Sequence, residues 1–152
     1  TPILDVGAGT GLVVKDMTVA PGVKIDALDI SAEMLEVAAT RGVYRDFLKC
    51  DLTRALPMQD ATYGGVMSAG TFTHGHVGPD ALEELLRIAK PGAVFVLSIN
   101  AEHYVARGFE AKFAQLEPHI RDLEMRMIDI YGDGAQADHK NDKAQVAVFW
   151  KR

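Results

Sequence analysis

The stretch "LDVGAGTG", residues 4–11, places three glycines at alternate positions directly behind a short apolar segment. The apolar residues predict a β-strand, and "LVVKDMTV" (12–19) behind the glycines predicts a helix. Gly7, Gly9 and Gly11 let the backbone approach a ligand closely, and they direct helix N-terminal amides towards an anionic group. The stretch therefore predicts a strand–loop–helix unit that binds a carboxylate or a phosphate.

The chain on either side of this unit alternates between strand-like and helix-like segments. Alternation of this kind predicts a mostly parallel sheet with helices on both faces. The last two strands have no crossover helix between them, so they must pair antiparallel. We therefore predict an α/β, Rossmann-like, doubly wound sheet of seven strands with an antiparallel last strand. The predicted strands are 2–6, 23–30, 43–50, 63–69, 93–100, 121–132 and 143–151, and the predicted helices are 12–19, 32–40, 80–90 and 102–117.

Local signals mark the ends of the middle helices. Ser31 is a good N-cap for the second helix, and Gly42 is a good terminator behind it. Asp80 and Glu83 have the spacing of a capping box at the start of the third helix. The Pro91-Gly92 pair is expected to end that helix.

An acidic residue after the second strand points to a nucleoside ligand. Asp29 lies 18 residues after Gly11, close to the spacing of about 20 at which an acid receives ribose hydroxyls in doubly wound folds. Leu12 stands where a dinucleotide loop has its third glycine, which argues against a pyrophosphate. Asp5, two residues before Gly7, suits a ligand that carries an ammonium group. The predicted site lies at the carboxyl ends of the strands, where the strand order reverses.

These motifs resemble those of the class I S-adenosylmethionine-dependent methyltransferases. "LDVGAGTG" is similar to their first motif, "ALDIS" (27–31) to their second, and "CDLTRALP" (50–57) to the acidic turn after their third strand. The resemblance extends over nearly all 152 residues. The stretches "SAGTFTHGHVGPDALEELLRIAKPG", "SINAEHY" and "YGDGAQADHKND" resemble more narrowly the small methyltransferase-like proteins named for the Williams–Beuren region.

The resemblance implies S-adenosyl-L-methionine as the cofactor and places four groups of residues around it. The methionine portion would be held by Asp5, Gly7, Gly9 and Gly11. The ribose diol would be held by Asp29, with Ile30 and Met34 near the adenine or the ribose. The adenine amino group would bind Asp51, with the ring against Leu52. The end of the fourth strand would contribute Ser68, Ala69 and Gly70. The glycines could instead serve only a tight turn, and Asp29 or Asp51 could be a helix or turn cap.

His74 and His76 follow the fourth strand and are the candidate catalytic residues. Either could act as a general base or orient the acceptor; the alternative is a loop histidine bound to backbone. The methyl donor carries its own leaving group, so a base is required only for an acceptor that arrives protonated. We expect no metal, because His-x-His in a glycine-rich loop lacks the helical pairing of hydrolytic zinc motifs. His103, His139 and Lys140 are weaker candidates for contacts to the acceptor.

Composition limits the class of protein. Hydrophobic residues make up 48% and charged residues 24%, as is ordinary for a soluble globular protein. The net charge of −5 argues against nucleic acid as a partner. The chain contains neither a membrane-spanning run nor a signal-peptide pattern. Cys50, the only cysteine, is expected to be a small buried residue. A cytoplasmic location is the default expectation.

The expected organisation is a single S-adenosylmethionine-binding domain over residues 1–152. A strand that starts at Ile3 suggests that upstream sequence, including an N-terminal cap, is missing. The function that these features favour is methyl transfer to a small molecule, with no membrane partner and an unknown oligomeric state. A non-catalytic cofactor-binding module and a nicotinamide-dependent oxidoreductase are the alternatives.

Overall fold

The computed structural model describes residues 2–15, 20–72, 77–100, 108–129 and 143–152. These residues contain seven strands, four α-helices and one short 3-10 turn, Glu117–His119. The strands are β1 (Ile3–Val6), β2 (Ile25–Asp29), β3 (Asp46–Lys49), β4 (Tyr63–Phe72), β5 (Ala89–Asn100), β6 (Ile120–Asp129) and β7 (Lys143–Lys151). The helices are α1 (Leu12–Lys15), α2 (Ala32–Ala39), α3 (Ala81–Ile88) and α4 (Phe109–Leu116).

The seven strands form one sheet in the order β3-β2-β1-β4-β5-β7-β6. Pairings among β1 to β5 are parallel, and β7 pairs antiparallel with both β5 and β6. The predicted mostly parallel sheet with an antiparallel last strand is confirmed. The chain moves outward from β1 to β3 and then returns to the other side of β1 with β4. The strand order therefore reverses between β1 and β4, where doubly wound sheets bind ligands.

The main core lies between the β5–β7 half of the sheet and helices α3 and α4. Strand β5 contributes Ala93, Phe95, Leu97 and Ile99 to this core, whereas Val96 on its other face is 40% exposed. The rings of Phe95 and Phe149 stack at 4.7 Å, and Phe113 of α4 meets Phe149 edge-on at 5.5 Å. Helix α2 packs against β2 and β3 at the other end of the sheet, where it buries Leu35 and Ala38.

Several predicted element boundaries were wrong. Strand β3 begins at Asp46 instead of residue 43, and β4 continues to Phe72 instead of ending at residue 69. Helix α3 ends at Ile88, before the Pro91-Gly92 pair, and β5 begins at Ala89. The reason is pairing between strands: Tyr63 of β4 pairs with Ala89, and the register then shifts before the next pair. Pairing with β4 therefore ends the helix before the Pro91-Gly92 pair, which was expected to end it.

The two predicted helix caps had different outcomes. Ser31 caps α2 as predicted, since its Oγ accepts from the Met34 amide at 3.2 Å. The capping box at Asp80 was wrong, because Asp80 has helical dihedral angles and its side chain makes no cap hydrogen bond. Asp80 and Glu83 instead accept from Lys112 Nζ of α4 at 3.2 and 2.6 Å. The Lys112 side chain is 8% exposed, and a buried ammonium requires such anionic partners.

A half-buried ion pair lies near the amino ends of β2, β3 and β4, where Asp26 is buried and the Arg45 side chain is 46% exposed. Arg45 donates to both carboxylate oxygens of Asp26, with N···O distances of 2.9 and 2.6 Å. The Tyr63 hydroxyl donates to the same carboxylate at 2.8 Å. This cluster lies at the amino ends of the strands, opposite the carboxyl ends where the ligand site is predicted. Within the described ranges, no helix combines the length and the apolar character that a bilayer-spanning segment requires.

Candidate functional site

The carboxyl ends of β1 to β4 border an open cleft of about 720 Å³. The cleft therefore lies where the sequence predicted a ligand site, at the reversal of strand order. Four strand ends supply most of its lining: Gly7 and Gly9; Leu28, Asp29, Ile30 and Ser31; Cys50, Asp51, Leu52 and Thr53; and Thr71, with Met34 of α2 and Val77.

The glycine loop after β1 is held close to β4. Gly7 has φ of +66°, a conformation that favours glycine. A Cβ atom on Gly7 would overlap Thr71 Oγ1, and this hydroxyl donates to the Val6 carbonyl at 3.0 Å. Gly7 is therefore required for two reasons: its backbone conformation and the approach of Thr71. Gly9 also has a positive φ, of +58°, but no atom lies within 4 Å of the position of a Cβ there.

The carboxylate of Asp29 joins the glycine loop to the end of β2. One oxygen accepts from the Gly9 amide at 2.9 Å, and the other accepts from the Ser31 amide at 2.9 Å. Each carboxylate oxygen has a second lone pair, so both can still accept from a ligand. Asp29 thus places an anionic acceptor at the cleft and fixes the loop at the same time.

Asp51 supplies a second carboxylate at the β3 side of the cleft. Its Oδ1 accepts from the Thr53 hydroxyl at 2.6 Å and from the Thr53 amide at 2.8 Å. The hydrogen bonds from Thr53 lower the pKa of Asp51 below its ordinary value. Arg54 Nε lies 3.7 Å from the other oxygen, Oδ2. The carboxylate is therefore ionised at neutral pH and can accept from a ligand donor.

Apolar side chains border the cleft between these two acids. Ile30 is 63% exposed and Met34 is 45% exposed, and both line the cleft. Leu52 is buried on the β3 side of the same cleft. The arrangement provides apolar surfaces for a flat ring, and the two carboxylates beside it could accept hydrogen bonds from polar groups of the ligand.

Asp5 lies beneath the glycine loop and does not contribute to the cleft lining. Its side chain is buried, at 3% exposure, and its Oδ2 accepts from the Tyr44 hydroxyl at 2.7 Å. Burial raises the pKa of Asp5 to about 6, the hydrogen bond from Tyr44 opposes that rise, and the charge on Asp29 adds to it. Asp5 is thus a carboxylate whose ionisation near neutral pH depends on its surroundings.

We expect Asp5→Asn to raise the free energy of unfolding at neutral pH, because it removes a buried negative charge. In the folded protein the pKa of Asp5 rises from 3.8 to about 6, so the folded state binds a proton that the unfolded state releases. The stability from this proton is complete below about pH 4 and is lost as the pH rises through about 6. The gain of the variant should grow across this interval and level off at about 3 kcal/mol.

Urea unfolding of both proteins at about pH 4, 6 and 8 measures this difference. A difference that stays constant with pH would contradict the assignment, because the pKa of Asp5 would then be the same in the folded and unfolded states. Tyr44 can still donate to the amide oxygen of the variant, so its hydrogen bond is retained.

The remaining predicted site residues lie around the cleft or outside the described part of the chain. Gly11, Ser68 and Ala69 are described but do not line the cleft, and Gly70 lies in β4. The Ser68 hydroxyl is buried and has no hydrogen-bond partner within the described ranges. Five further candidates lie outside the described residues: His74, His76, His103, His139 and Lys140.

The structure also adds contacts that the motifs did not indicate. Thr53 and Thr71 lie within quoted stretches of the sequence, but the bonds of Thr53 to Asp51 and of Thr71 to the Val6 carbonyl were not predicted. Tyr44 was placed inside a predicted strand, but it precedes β3 and contacts Asp5 across the fold. Cys50 lines the cleft, and burial raises the pKa of its thiol, which does not favour a nucleophile. The described residues contain no group of three metal-ligating side chains.

Comparison with known proteins agrees with this geometry. The family described as "Methyltransferase domain" matches residues 4–97, which include the glycine loop and strands β1 to β4. This chain belongs to the class I S-adenosylmethionine-dependent methyltransferases. The cofactor of this family is S-adenosyl-L-methionine, as the resemblance of the motifs implied.

Individual methyltransferase relatives show how much of a longer protein this chain matches. The chain is 34% identical over 117 residues to "Methyltransferase-like protein 27" of Homo sapiens, covering 76% of this chain and 47% of that one. It is 39% identical over 101 residues to a demethylmenaquinone methyltransferase of Symbiobacterium thermophilum, covering 62% of this chain and 40% of the relative. The chain thus spans less than half the length of these relatives.

The fold of this chain also appears among solved structures. The YcgJ protein of Bacillus subtilis superposes with a TM-score of 0.72, covering 99% of this chain and 92% of that chain. Its sequence is 18% identical, so this likeness supports the fold alone.

Proposed function

We propose that this protein transfers the methyl group of S-adenosylmethionine to a small-molecule acceptor. The observation that carries the proposal is the cleft at the strand-order reversal, where Asp29 and Asp51 flank exposed apolar side chains behind the glycine loop. The relative from Symbiobacterium thermophilum is named for demethylmenaquinone, a small molecule. The net charge of −5 is also unfavourable for a nucleic-acid acceptor.

The positions of these groups support one orientation of the cofactor. The ribose hydroxyls would donate to Asp29, and the adenine would lie against Ile30, Met34 and Leu52. The adenine amino group would donate to Asp51. The amino-acid portion would then lie over the glycine loop, with its ammonium towards the buried Asp5 carboxylate. This orientation directs the reacting end of the cofactor towards Gly7 and Thr71, at the β4 side of the cleft.

In this proposal, position contributes more to the reaction than any single catalytic side chain. The bound cofactor supplies a sulfonium, which is already a good leaving group. The protein must align an acceptor atom with the methyl–sulfur bond and exclude water, and orientation of this kind contributes up to about 7–11 kcal/mol. A general base is needed only if the acceptor arrives protonated. His74 and His76 remain the proposed residues for that role.

Calorimetry with S-adenosylmethionine and with S-adenosylhomocysteine tests the cofactor assignment. We expect a dissociation constant in the micromolar range for each, corresponding to about −8 kcal/mol. No heat with either compound, in a folded sample of this chain, would exclude the proposal. Enhanced NADH fluorescence on mixing would instead favour the nicotinamide-dependent alternative.

A turnover assay separates an enzyme from a non-catalytic binding module. The transfer step requires no diagnostic side chain, so cofactor binding alone does not distinguish these two functions. Methyl transfer from labelled donor to a panel of phenols, quinols, amines, thiols and carboxylic acids is the decisive measurement. Transfer to one class, lowered in His74→Ala or His76→Ala, would identify both the acceptor chemistry and the base.

A further inference from the structure

The turn that follows α2 packs against the side of the glycine loop away from the cleft. Arg41 Nε donates to the Thr10 carbonyl at 3.2 Å. A Cβ atom on Gly11 would lie 3.0 Å from Tyr44 Cε2 and 3.4 Å from Arg41 Cγ, so Gly11 is closely packed against both side chains. The loop is therefore supported from this turn, in addition to its contacts with Asp29 and Thr71.

Tyr44 connects this turn to the acid beneath the loop. Its hydroxyl donates to Asp5 Oδ2 at 2.7 Å, and its ring meets Phe47 of β3 edge-on at 5.7 Å. Burial and the bond to Asp5 raise the pKa of Tyr44, so the phenol stays protonated and donates. Tyr44 and Arg41 do not line the cleft in the described part of the structure, and they would act on a ligand only through Asp5 and the loop.

We propose that Tyr44 is a positioning residue for the cofactor: its hydroxyl orients the Asp5 carboxylate, and its ring together with Arg41 sets the position of the glycine loop. The inference rests on the proposed function, because it assigns to Asp5 the ammonium group of the bound cofactor. A carboxylate with one oxygen held by a neutral donor keeps its charge and presents a defined direction to a cation. Tyr44 thus supports the site without touching the ligand.

This role makes cofactor affinity depend on pH in a way that Tyr44 controls. Three influences act on Asp5: burial and the charge on Asp29 both favour its protonated form, while the Tyr44 hydrogen bond favours its ionised form. Protonation of Asp5 removes its attraction for an ammonium group, so affinity should fall on the acid side of neutral pH. Without the Tyr44 hydroxyl, the pKa of Asp5 rises further and the fall begins at a higher pH.

The test is Tyr44→Phe, which keeps the ring and removes only the hydroxyl. Calorimetry with S-adenosylhomocysteine, repeated between about pH 5 and 8, should show binding about tenfold weaker at neutral pH. The midpoint of the acid-side loss of affinity should move upward by about one pH unit. Arg41→Met should weaken binding without moving this midpoint, because Arg41 contacts a carbonyl and not the carboxylate.

Tyr63→Phe is the matched control. Tyr63 also donates to a buried carboxylate, Asp26, at 2.8 Å. It lies at the amino end of β4, whereas the cleft lies at the carboxyl ends of the strands. Its substitution should lower stability while leaving the affinity and its pH profile unchanged. Equal losses of affinity in Tyr44→Phe and Tyr63→Phe, with unshifted midpoints, would reduce Tyr44 to a structural residue and overturn the inference.

The outcome for the wild-type protein separates this inference from the function on which it rests. If the wild type binds and Tyr44→Phe binds equally well at every pH, the positioning role is wrong and the proposed function stands. If the wild type does not bind either cofactor form, the proposed function and this role both fail.

Discussion

Asp29→Ala is expected to lower the affinity for S-adenosylmethionine by at least about a hundredfold. The carboxylate accepts from the Gly9 and Ser31 amides at 2.9 Å, and hydrogen bonds to a charged group contribute about 1.5–3 kcal/mol each. Its removal deletes the side-chain bond from β2 to Gly9, leaving the bond from the Ala8 amide to the Leu28 carbonyl at 3.0 Å. It also deletes the proposed acceptor for the ribose hydroxyls. Both effects weaken the same site, so the loss should exceed that of any other single change in the cleft. Calorimetry with both cofactor forms measures it.

Two further variants define the cause of this loss. Asp29→Asn preserves the shape of the side chain but places an amide NH₂ opposite one of the two backbone N–H donors, so binding should remain strongly impaired. Asp46→Ala removes an exposed acid from β3, outside the cleft, and should leave affinity unchanged. Near-normal affinity in Asp29→Ala would show that the ligand does not use this carboxylate.

Gly7→Ala is expected to destabilise the fold by about 2–5 kcal/mol. The new Cβ would overlap Thr71 Oγ1, and relief of overlap in a packed region costs about 1–3 kcal/mol. The positive φ of Gly7 adds about 1–2 kcal/mol for any residue with a side chain. The forced shift of β1 away from Thr71 should also disrupt the cleft. Urea unfolding measures the first effect and cofactor calorimetry measures the second.

Gly9→Ala is the matched comparison for the stability measurement. Gly9 also has a positive φ, of +58°, but no atom lies within 4 Å of the new Cβ, so only the backbone cost of about 1–2 kcal/mol remains. Adding Thr71→Ala to Gly7→Ala should recover part of the loss, because it removes the overlapping hydroxyl. Equal destabilisation by Gly7→Ala and Gly9→Ala would show that Thr71 yields without cost.

The sheet and the place of the cleft could be predicted from the sequence because they depend on local, periodic information. Strand and helix segments alternate along the chain, and the right-handed connection of parallel strands leaves few arrangements for them. The glycine spacing after β1 and the distance to Asp29 then locate the ligand end. Boundaries such as the start of β5 at Ala89 could not be predicted from the sequence, because pairing between strands decides them.

The capping box at Asp80 shows why local pattern alone is insufficient. The sequence Asp80-x-x-Glu83 favours reciprocal bonds within one turn, but Lys112 enters from a helix about 30 residues later. The first amides of α3 do not need the Asp80 side chain, because those of residues 81–83 donate to the carbonyls of residues 78–80 at 3.0–3.4 Å. The buried ammonium of Lys112, in contrast, requires anionic partners. The side chains of Asp80 and Glu83 therefore bind Lys112 instead of the helix end, and a pattern of adjacent residues cannot predict this contact.

The sequence by itself determined the fold class and the position of the cleft, because both follow from the order and spacing of segments along the chain. It also indicated the acids at the strand ends, Asp29 by its spacing from Gly11 and Asp51 by the resemblance of its motif. Only the tertiary structure decided what holds those acids in place: Thr71 against Gly7, the Gly9 amide on Asp29, and Tyr44 on Asp5. Tyr44 and Asp5 are 39 residues apart, and Thr71 is 65 residues from the Val6 carbonyl that it binds. Hydrogen bonds and close packing act over a few ångströms in space. Residues that are far apart in the sequence give no local pattern from which such contacts can be predicted.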